Sequence, residues 1–126
     1  MTDSPAILVA EDEEIVRRYI ARILAQAGHV VLLAADGLEA WTLMETLGRE
    51  RVGLVVSDVS MPNMSGTELA VRLAVRWPTL PVLLVSALDR PRECRGPFLP
   101  KPFTPDQLLA AARAMLGAED RAGARQ

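Results

Sequence analysis

Scarcities narrow the possibilities first. Cysteine occurs once, at Cys94, so no disulfide can form within the chain, which suits a reducing compartment such as the cytoplasm. No stretch approaches the ~18–20 uninterrupted apolar residues that a membrane span requires. The opening Met1-Thr2-Asp3-Ser4-Pro5 holds no basic segment ahead of the first apolar run, so a secretory signal is not expected either. An excess of one charge is also missing. The formal net charge is −2, which gives no ground for nucleic acid or a membrane surface as a direct partner. The single histidine, His29, follows a glycine and reads as a turn or surface residue. Lysine is the most telling scarcity. Of the 14 basic residues, all are arginine except Lys101. An ammonium and a planar guanidinium are not interchangeable, so the one amine in an arginine-rich chain calls for a reason.

What is present is a packed domain. Within 126 residues, 50% are hydrophobic, enough for one core and against disorder. Short apolar, β-branched runs recur at Ile7-Leu8-Val9-Ala10, Val30-Val31-Leu32-Leu33, Leu54-Val55-Val56-Ser57 and Val82-Leu83-Leu84-Val85, with a weaker Phe98-Leu99. Runs without polar alternation fit strands covered on both faces. Helical patterns lie between them. Ile15, Val16, Tyr19, Ile20, Ile23, Leu24 and Ala27 keep a 3.6-residue period, and Gly28 is a C-terminal stop. Asp36 with Glu39, Ser65 with Glu68, and Thr104 with Gln107 read as capping boxes, with Pro105 suited to a first helical position. Leu69, Leu73 and Trp77 form one buried stripe; Leu108, Ala112 and Met115 or Leu116 form another. Regular β-α alternation predicts a doubly wound α/β fold, a parallel sheet with helices on both faces. The domain is expected over residues 5–117, with 118–126 as a flexible C-terminal tail.

The unusual polar residues collect at strand ends. Glu11 and Asp12 follow the first run, Asp58 closes the third, Ser86 closes the fourth, and Lys101 lies just beyond the fifth. In a flavodoxin-like five-stranded sheet of order 2-1-3-4-5 these strands are neighbours, and ligands bind beyond their carboxyl ends. Each residue also has a plainer reading. Glu11 to Glu14 suit a helix N-terminus, Asp58 suits a turn, and Ser86 or Lys101 alone suits structure or solvent. Together at one rim they point to chemistry. Crowded carboxylates repel, and a hard cation relieves the repulsion. Mg²⁺ takes oxygen ligands, keeps waters and accepts a phosphate oxygen, and an aspartate beside it can accept a phosphoryl group while an ammonium neutralises the transferred charge.

At this point the residues resemble the response-regulator receiver domains of two-component signalling (CheY-like). The resemblance runs from Ile7-Leu8-Val9-Ala10-Glu11-Asp12-Glu13 to Phe98-Leu99-Pro100-Lys101-Pro102-Phe103 and the last helix. Its most specific block is Ser57-Asp58-Val59-Ser60-Met61-Pro62-Asn63-Met64-Ser65-Gly66, similar to the family's D-x-x-M-P-x-M-x-G signature. The resemblance implies that Asp58 accepts a phosphoryl group and ligates Mg²⁺. Asp12 would ligate directly, Glu11 through a water, and Ser60 through its backbone carbonyl. Lys101 would pair with Asp58, Ser86 would turn its hydroxyl to the phosphoryl group, and Phe98 would hold the aromatic switch position. The Lys101-Pro102 bond would be cis. Implied partners are a histidine kinase or histidine phosphotransfer protein and a downstream protein target, the last met through the face of the final two strands and final helix. The chain would be a monomer or weak homodimer, and no enzyme beyond catalysing its own phosphorylation and dephosphorylation.

Several features depart from that pattern or stand outside it. The first acid is Glu11 where aspartate is more usual. Only residues 87–97 separate the fourth and fifth strand runs, and they include Pro91, Gly96 and Pro97. A parallel crossover needs at least ~10–12 residues with its helix, so the fourth helix is expected to be shortened or irregular. Arg90, Arg92 and Arg95 make this segment basic, as a solvated surface or a docking edge, and Cys94 is expected to be exposed there without a reactive setting. Met61 and Met64 read as loop packing, Trp41 and Trp77 as helix packing. Two other functions compete. A receiver-like interaction module that is never phosphorylated would lack Mg²⁺ binding. A hydrolase of the haloacid-dehalogenase type would carry D-x-D after its first strand, where this chain has Glu11-Asp12-Glu13.

Overall fold

The computed structural model describes residues 4–92, 94 and 96–124. Five strands form one parallel sheet in the order β2-β1-β3-β4-β5, comprising β1 (Ala6–Ala10), β2 (Val31–Ala34), β3 (Val52–Asp58), β4 (Val82–Ser86) and β5 (Phe98–Pro100). Its registers pair Leu8 with Leu32 and Val55, Val56 with Leu83, and Val85 with Leu99. Every residue of β1 and β3 is buried, as unbroken apolar runs require when helices cover both faces. The predicted fold class and strand order are those observed.

Four helices stand among the described residues: α1 (Glu14–Gln26), α2 (Gly37–Leu47), α3 (Gly66–Arg76) and α4 (Pro105–Ala124). Their starts follow the expected capping chemistry. The Asp36 carboxylate accepts from the Glu39 N–H at 2.8 Å and the Ser65 hydroxyl from the Glu68 N–H at 3.1 Å. Thr104 and Gln107 form the full reciprocal box, each side chain accepting from the other's backbone N–H. Gly28, at φ 97°, ends α1. Helices α1 and α4 cover one side of the sheet, packing Ile20, Leu24, Leu108 and Ala112 on Ile7, Val9, Leu54 and Val56. Helices α2 and α3 cover the other, packing Ala40, Met44, Leu69 and Leu73 on Leu8 and Val55. Trp41 and Trp77 pack against this second cluster with ring centroids 5.7 Å apart, and Met64 lies within it.

The β4–β5 crossover has no helix among its described residues, in agreement with its proline and glycine content. Arg90 ties it across by donating to the Gly96 carbonyl at 2.6 Å. Cys94 is half-buried rather than exposed, with its sulfur 3.7 Å from the same carbonyl, while Arg95 lies outside the described residues. At the other end the backbone of α4 continues to Ala124, past the Gly117 boundary expected from the loss of apolar period. Four of the five residues 118–122, Ala118, Glu119, Arg121 and Ala122, are good helix formers, which favour helical backbone by propensity alone. Arg125 and Gln126, the end of the expected tail, lie outside the described residues.

Candidate functional site

The parallel sheet sends the carboxyl ends of β1, β3, β4 and β5 to one rim, and the polar residues gather there. Glu11 leaves β1 fully buried, its N–H donating to the Ala34 carbonyl and its own carbonyl accepting from Arg17 at 2.8 Å. Asp12 follows, exposed at the start of the turn into α1. Asp58 is the last residue of β3 and is buried; its Oδ1 accepts from the Val59 N–H at 2.8 Å, and its carbonyl accepts from the Ser57 hydroxyl at 2.9 Å. Carboxylate oxygens of Glu11, Asp12 and Asp58 all lie within 4.8 Å of one another.

Lys101 answers this cluster. Its Nζ stands 2.7 Å from Glu11 Oε1 and 3.5 Å from Asp58 Oδ2. The expected Asp58 partner is present, yet the shorter bond goes to Glu11. The extra methylene of glutamate carries that carboxylate inward to the amine. Its second oxygen, Oε2, accepts from the Glu13 N–H at 3.0 Å. Burial raises the Glu11 pKa above its ordinary value; the Lys101 and Glu13 hydrogen bonds oppose this and the Asp58 charge adds to it. Burial alone would lower the Lys101 pKa, but the hydrogen bond and charge of Glu11, with Asp58 behind, raise it overall. The amine is therefore a fixed positive charge at neutral pH.

Ser86 is buried at the end of β4, its hydroxyl oxygen accepting from the Leu88 N–H at 3.0 Å, which leaves the hydroxyl hydrogen available to another acceptor. Its carbonyl accepts from the Lys101 N–H at 2.8 Å, locking the β4 and β5 ends together. The Lys101-Pro102 peptide is cis, as expected. Ser60 is exposed two residues beyond Asp58, and Phe98 is half-buried on β5 beside Leu84. A groove of about 350 Å³ opens next to Lys101, lined by Val16, Tyr19, Ala87, Pro102 and Phe103.

Three acids and one ammonium leave the rim with net negative charge. The donors are hard carboxylate oxygens, and opposite ligands of Mg²⁺ stand roughly 4.2 Å apart, twice its ~2.1 Å bond length. A spread of up to 4.8 Å among the three acids exceeds that span, so the donor set fits such an ion with one acid reached through a water and further waters completing the shell.

Comparison with known proteins decides the family. The response regulator receiver domain family matches residues 7–113. This chain belongs to the response-regulator receiver domain family. The receiver is 39% identical to a sensor kinase CckA of Brucella abortus across 95% of this chain, though it spans only 13% of that kinase. It is 37% identical to the response regulator MprA of Mycobacterium ulcerans across 90% of this chain, and spans about half (50%) of that regulator. Among solved structures, the receiver domain of the hybrid histidine kinase CckA superposes with TM-score 0.75 at 37% identity, covering 88% of this chain and 98% of that one. The Vibrio cholerae chemotaxis protein CheY4 superposes with TM-score 0.78 at 29% identity, covering 90% and 99%. The receiver is thus a module that occurs both in response regulators and in hybrid kinases, and a CheY-like signalling domain of two-component systems. None of its helices, among the described residues, is long and apolar enough to cross a membrane.

Sequence reasoning brought Glu11, Asp12, Asp58, Ser86 and Lys101 to one rim, and the fold places them there. It missed the supports. Arg17 shows only as one more charge on α1, although its place in the first turn of that helix, six residues after Glu11, allows the back-reach to that carbonyl. Ser57 looked like the end of an apolar run and instead bonds the Asp58 carbonyl. Gly66 sits so close to the Asp58 carbonyl that a Cβ would overlap it; the signature glycine was the available signal.

Proposed function

We propose that this receiver takes a phosphoryl group from a phosphohistidine onto Asp58, in the presence of Mg²⁺, and passes the change to a protein target. The observation that carries this reading is the pairing of one lysine with two buried acids at the rim, Lys101 lying 2.7 Å from Glu11 and 3.5 Å from Asp58. Asp12 and Asp58 would hold the ion directly, Glu11 through a water, and Ser60 through its carbonyl. When bound, the ion supplies charge neutralisation at the phosphoryl oxygens.

The chain's own groups do the rest. The Val59 N–H fixes the plane of the Asp58 carboxylate. An Asp58 oxygen forms the new P–O bond as the P–N bond of the donor breaks, and the departing imidazole keeps that electron pair and takes up a proton. Lys101 meets the charge on the transferred group, and the Ser86 hydroxyl donates to one of its oxygens. The histidine-bearing partner, a kinase or phosphotransfer protein, would settle on the apolar groove of Val16, Tyr19, Ala87, Pro102 and Phe103, beside Ile15, which is 85% exposed. Phe98 would act as the switch residue, and a target would read the β4–β5 and α4 face, where the crossover, without a helix among its described residues, leaves strand and loop to be recognised. We assign this role to residues 5–117, in the cytoplasm, with no turnover of an outside substrate.

Beryllofluoride, which mimics an aspartyl-bound phosphoryl group, tests the pocket. Fluorine NMR is expected to show a bound signal that requires both Mg²⁺ and Asp58 and vanishes in Asp58→Asn. A bound signal of equal strength without Mg²⁺, or in Asp58→Asn, would defeat the reading.

A further inference from the structure

The loop from Val59 to Ser65 carries Ser60 and is held at more than its ends. At one end the Gly66 N–H donates to the Val59 carbonyl at 2.8 Å, with Gly66 pressed on the Asp58 carbonyl. In the middle Asn63 adopts φ 68°, a left-handed conformation that non-glycine residues enter at a cost and keep only when their surroundings hold them. Its Nδ2 donates to Asp36 Oδ2 at 2.7 Å, across 27 residues of sequence. The other oxygen of the same carboxylate, Oδ1, caps α2 through the Glu39 N–H. Behind this bond Gly37 lies against the Met64 carbonyl so closely that a Cβ there would overlap it, and Met64 is buried with Ala40 and Met44. The first turn of α2 therefore serves as a template against which the loop is laid. Neither Asp36 nor Asn63 belongs to the rim of acids.

We propose that Asp36 is a positioning residue for the metal site, acting through Asn63 to fix the segment that presents the Ser60 carbonyl. The inference rests on the metal assignment made above. One carboxylate does two jobs: it ends the α2 backbone and latches the loop. A rigid α2, packed on the core through Ala40 and Met44, thereby sets where a backbone oxygen two residues past Asp58 stands. Hydrogen-bonding partners just outside a metal's ligands tune affinity in this way.

The test separates the latch from the cap. Asp36→Ser keeps a hydroxyl oxygen for the Glu39 N–H but has no second oxygen to accept from Asn63 Nδ2. Asn63→Gly keeps the positive φ without strain and deletes the amide. The exchange Asp36→Asn with Asn63→Asp rebuilds the bond with donor and acceptor reversed, both residues being tolerant of their backbone settings. Mg²⁺ alone is titrated into each full-length protein by calorimetry, alongside urea unfolding of the metal-free form. Each single variant is expected to bind Mg²⁺ about 3- to 10-fold more weakly than wild type, less than the ~10- to 100-fold typical of partners that bond a ligand directly, because this bond is exposed and acts through the loop, and the exchange to recover to within about twofold. Single variants with wild-type Mg²⁺ affinity, whatever their unfolding midpoints, would overturn the positioning role, as would an exchange that binds no better than the singles. A wild-type protein that binds no Mg²⁺ would instead overturn the site assignment beneath it, so the two failures are distinguishable.

Discussion

Replacing Lys101 by Met keeps the apolar stem and removes the ammonium that pairs with Glu11 and Asp58. Glu11, at 0% exposure, then keeps the Glu13 N–H on Oε2 but loses the partner of Oε1 at 2.7 Å. Breaking a buried ion pair from one side costs about 3–5 kcal/mol, because the other charge is left in a poor solvent. The Lys101 side chain retains 16% exposure, so water can reach part of the vacated space, and a cost of about 2–3 kcal/mol is expected. The remedy identifies the cause: adding Glu11→Gln removes the stranded charge and should recover most of the loss. The pH dependence has a definite sign. Glu11 already has a folded-state pKa above the ordinary 4.5, and losing the ammonium raises it further. The folded variant then binds more protons than the unfolded chain above about pH 4.5, so its deficit grows as pH rises through that window and shrinks below it. Urea unfolding of metal-free wild type, Lys101→Met and the double variant at several pH values measures all of this. A deficit below about 0.5 kcal/mol at pH 7, or one that Glu11→Gln leaves unchanged, would refute the reasoning, since exposed ion pairs are worth only that much.

Three further outcomes follow from the geometry. Gly66→Ala forces a methyl group onto the Asp58 carbonyl, with the Val59 Cα at 3.0 Å allowing no retreat; a loss of about 3 kcal/mol is expected by urea unfolding, together with weakened Mg²⁺ binding. Leu54→Ala, in the centre of the sheet at 0% exposure, should cost about 2–5 kcal/mol in the same assay, and a cost near zero would contradict the described core. The Asp36 pKa lies below its ordinary 3.8 because the Glu39 N–H and the Asn63 amide bond its charged form. Its stabilisation is therefore complete above pH 3.8 and is lost as pH falls through the lowered value. The stability gap between wild type and Asp36→Asn should accordingly narrow in acid, and a gap that stays constant would contradict the bond.

Much of the fold was legible because burial on both faces leaves an unmistakable record. Ile7 to Ala10 and Leu54 to Ser57 carry no polar alternation, and both proved buried throughout. Capping residues such as Ser65 and Thr104 announce helix starts through local chemistry, so they too could be read directly. The rim was legible for a topological reason: strand order alone brings Asp12, Asp58 and Lys101 together. What escaped depends on side-chain reach and on close approach. That Glu11, and not Asp58, takes the shorter bond to Lys101 turns on one methylene and the depth of the pocket. The Asp36–Asn63 bond escaped because Asp36 was already accounted for as a cap, and nothing in the spacing of 27 residues pairs it with Asn63. The continuation of α4 beyond Gly117 was missed because propensity without an apolar stripe gives a weaker signal than amphipathic period.

Phosphorylation of Asp58 is the central claim, and intact mass tests it most directly. The full chain is incubated with Mg²⁺ and acetyl phosphate, and the adduct is mapped to a peptide after trapping by borohydride reduction. A phosphoryl-sized gain in intact mass is predicted in wild type; borohydride then reduces the acyl phosphate to an alcohol and expels phosphate, so the residue at position 58 is recovered as homoserine, and both signals are absent in Asp58→Asn and when Mg²⁺ is chelated. No gain in wild type, or an equal gain in Asp58→Asn, would contradict it.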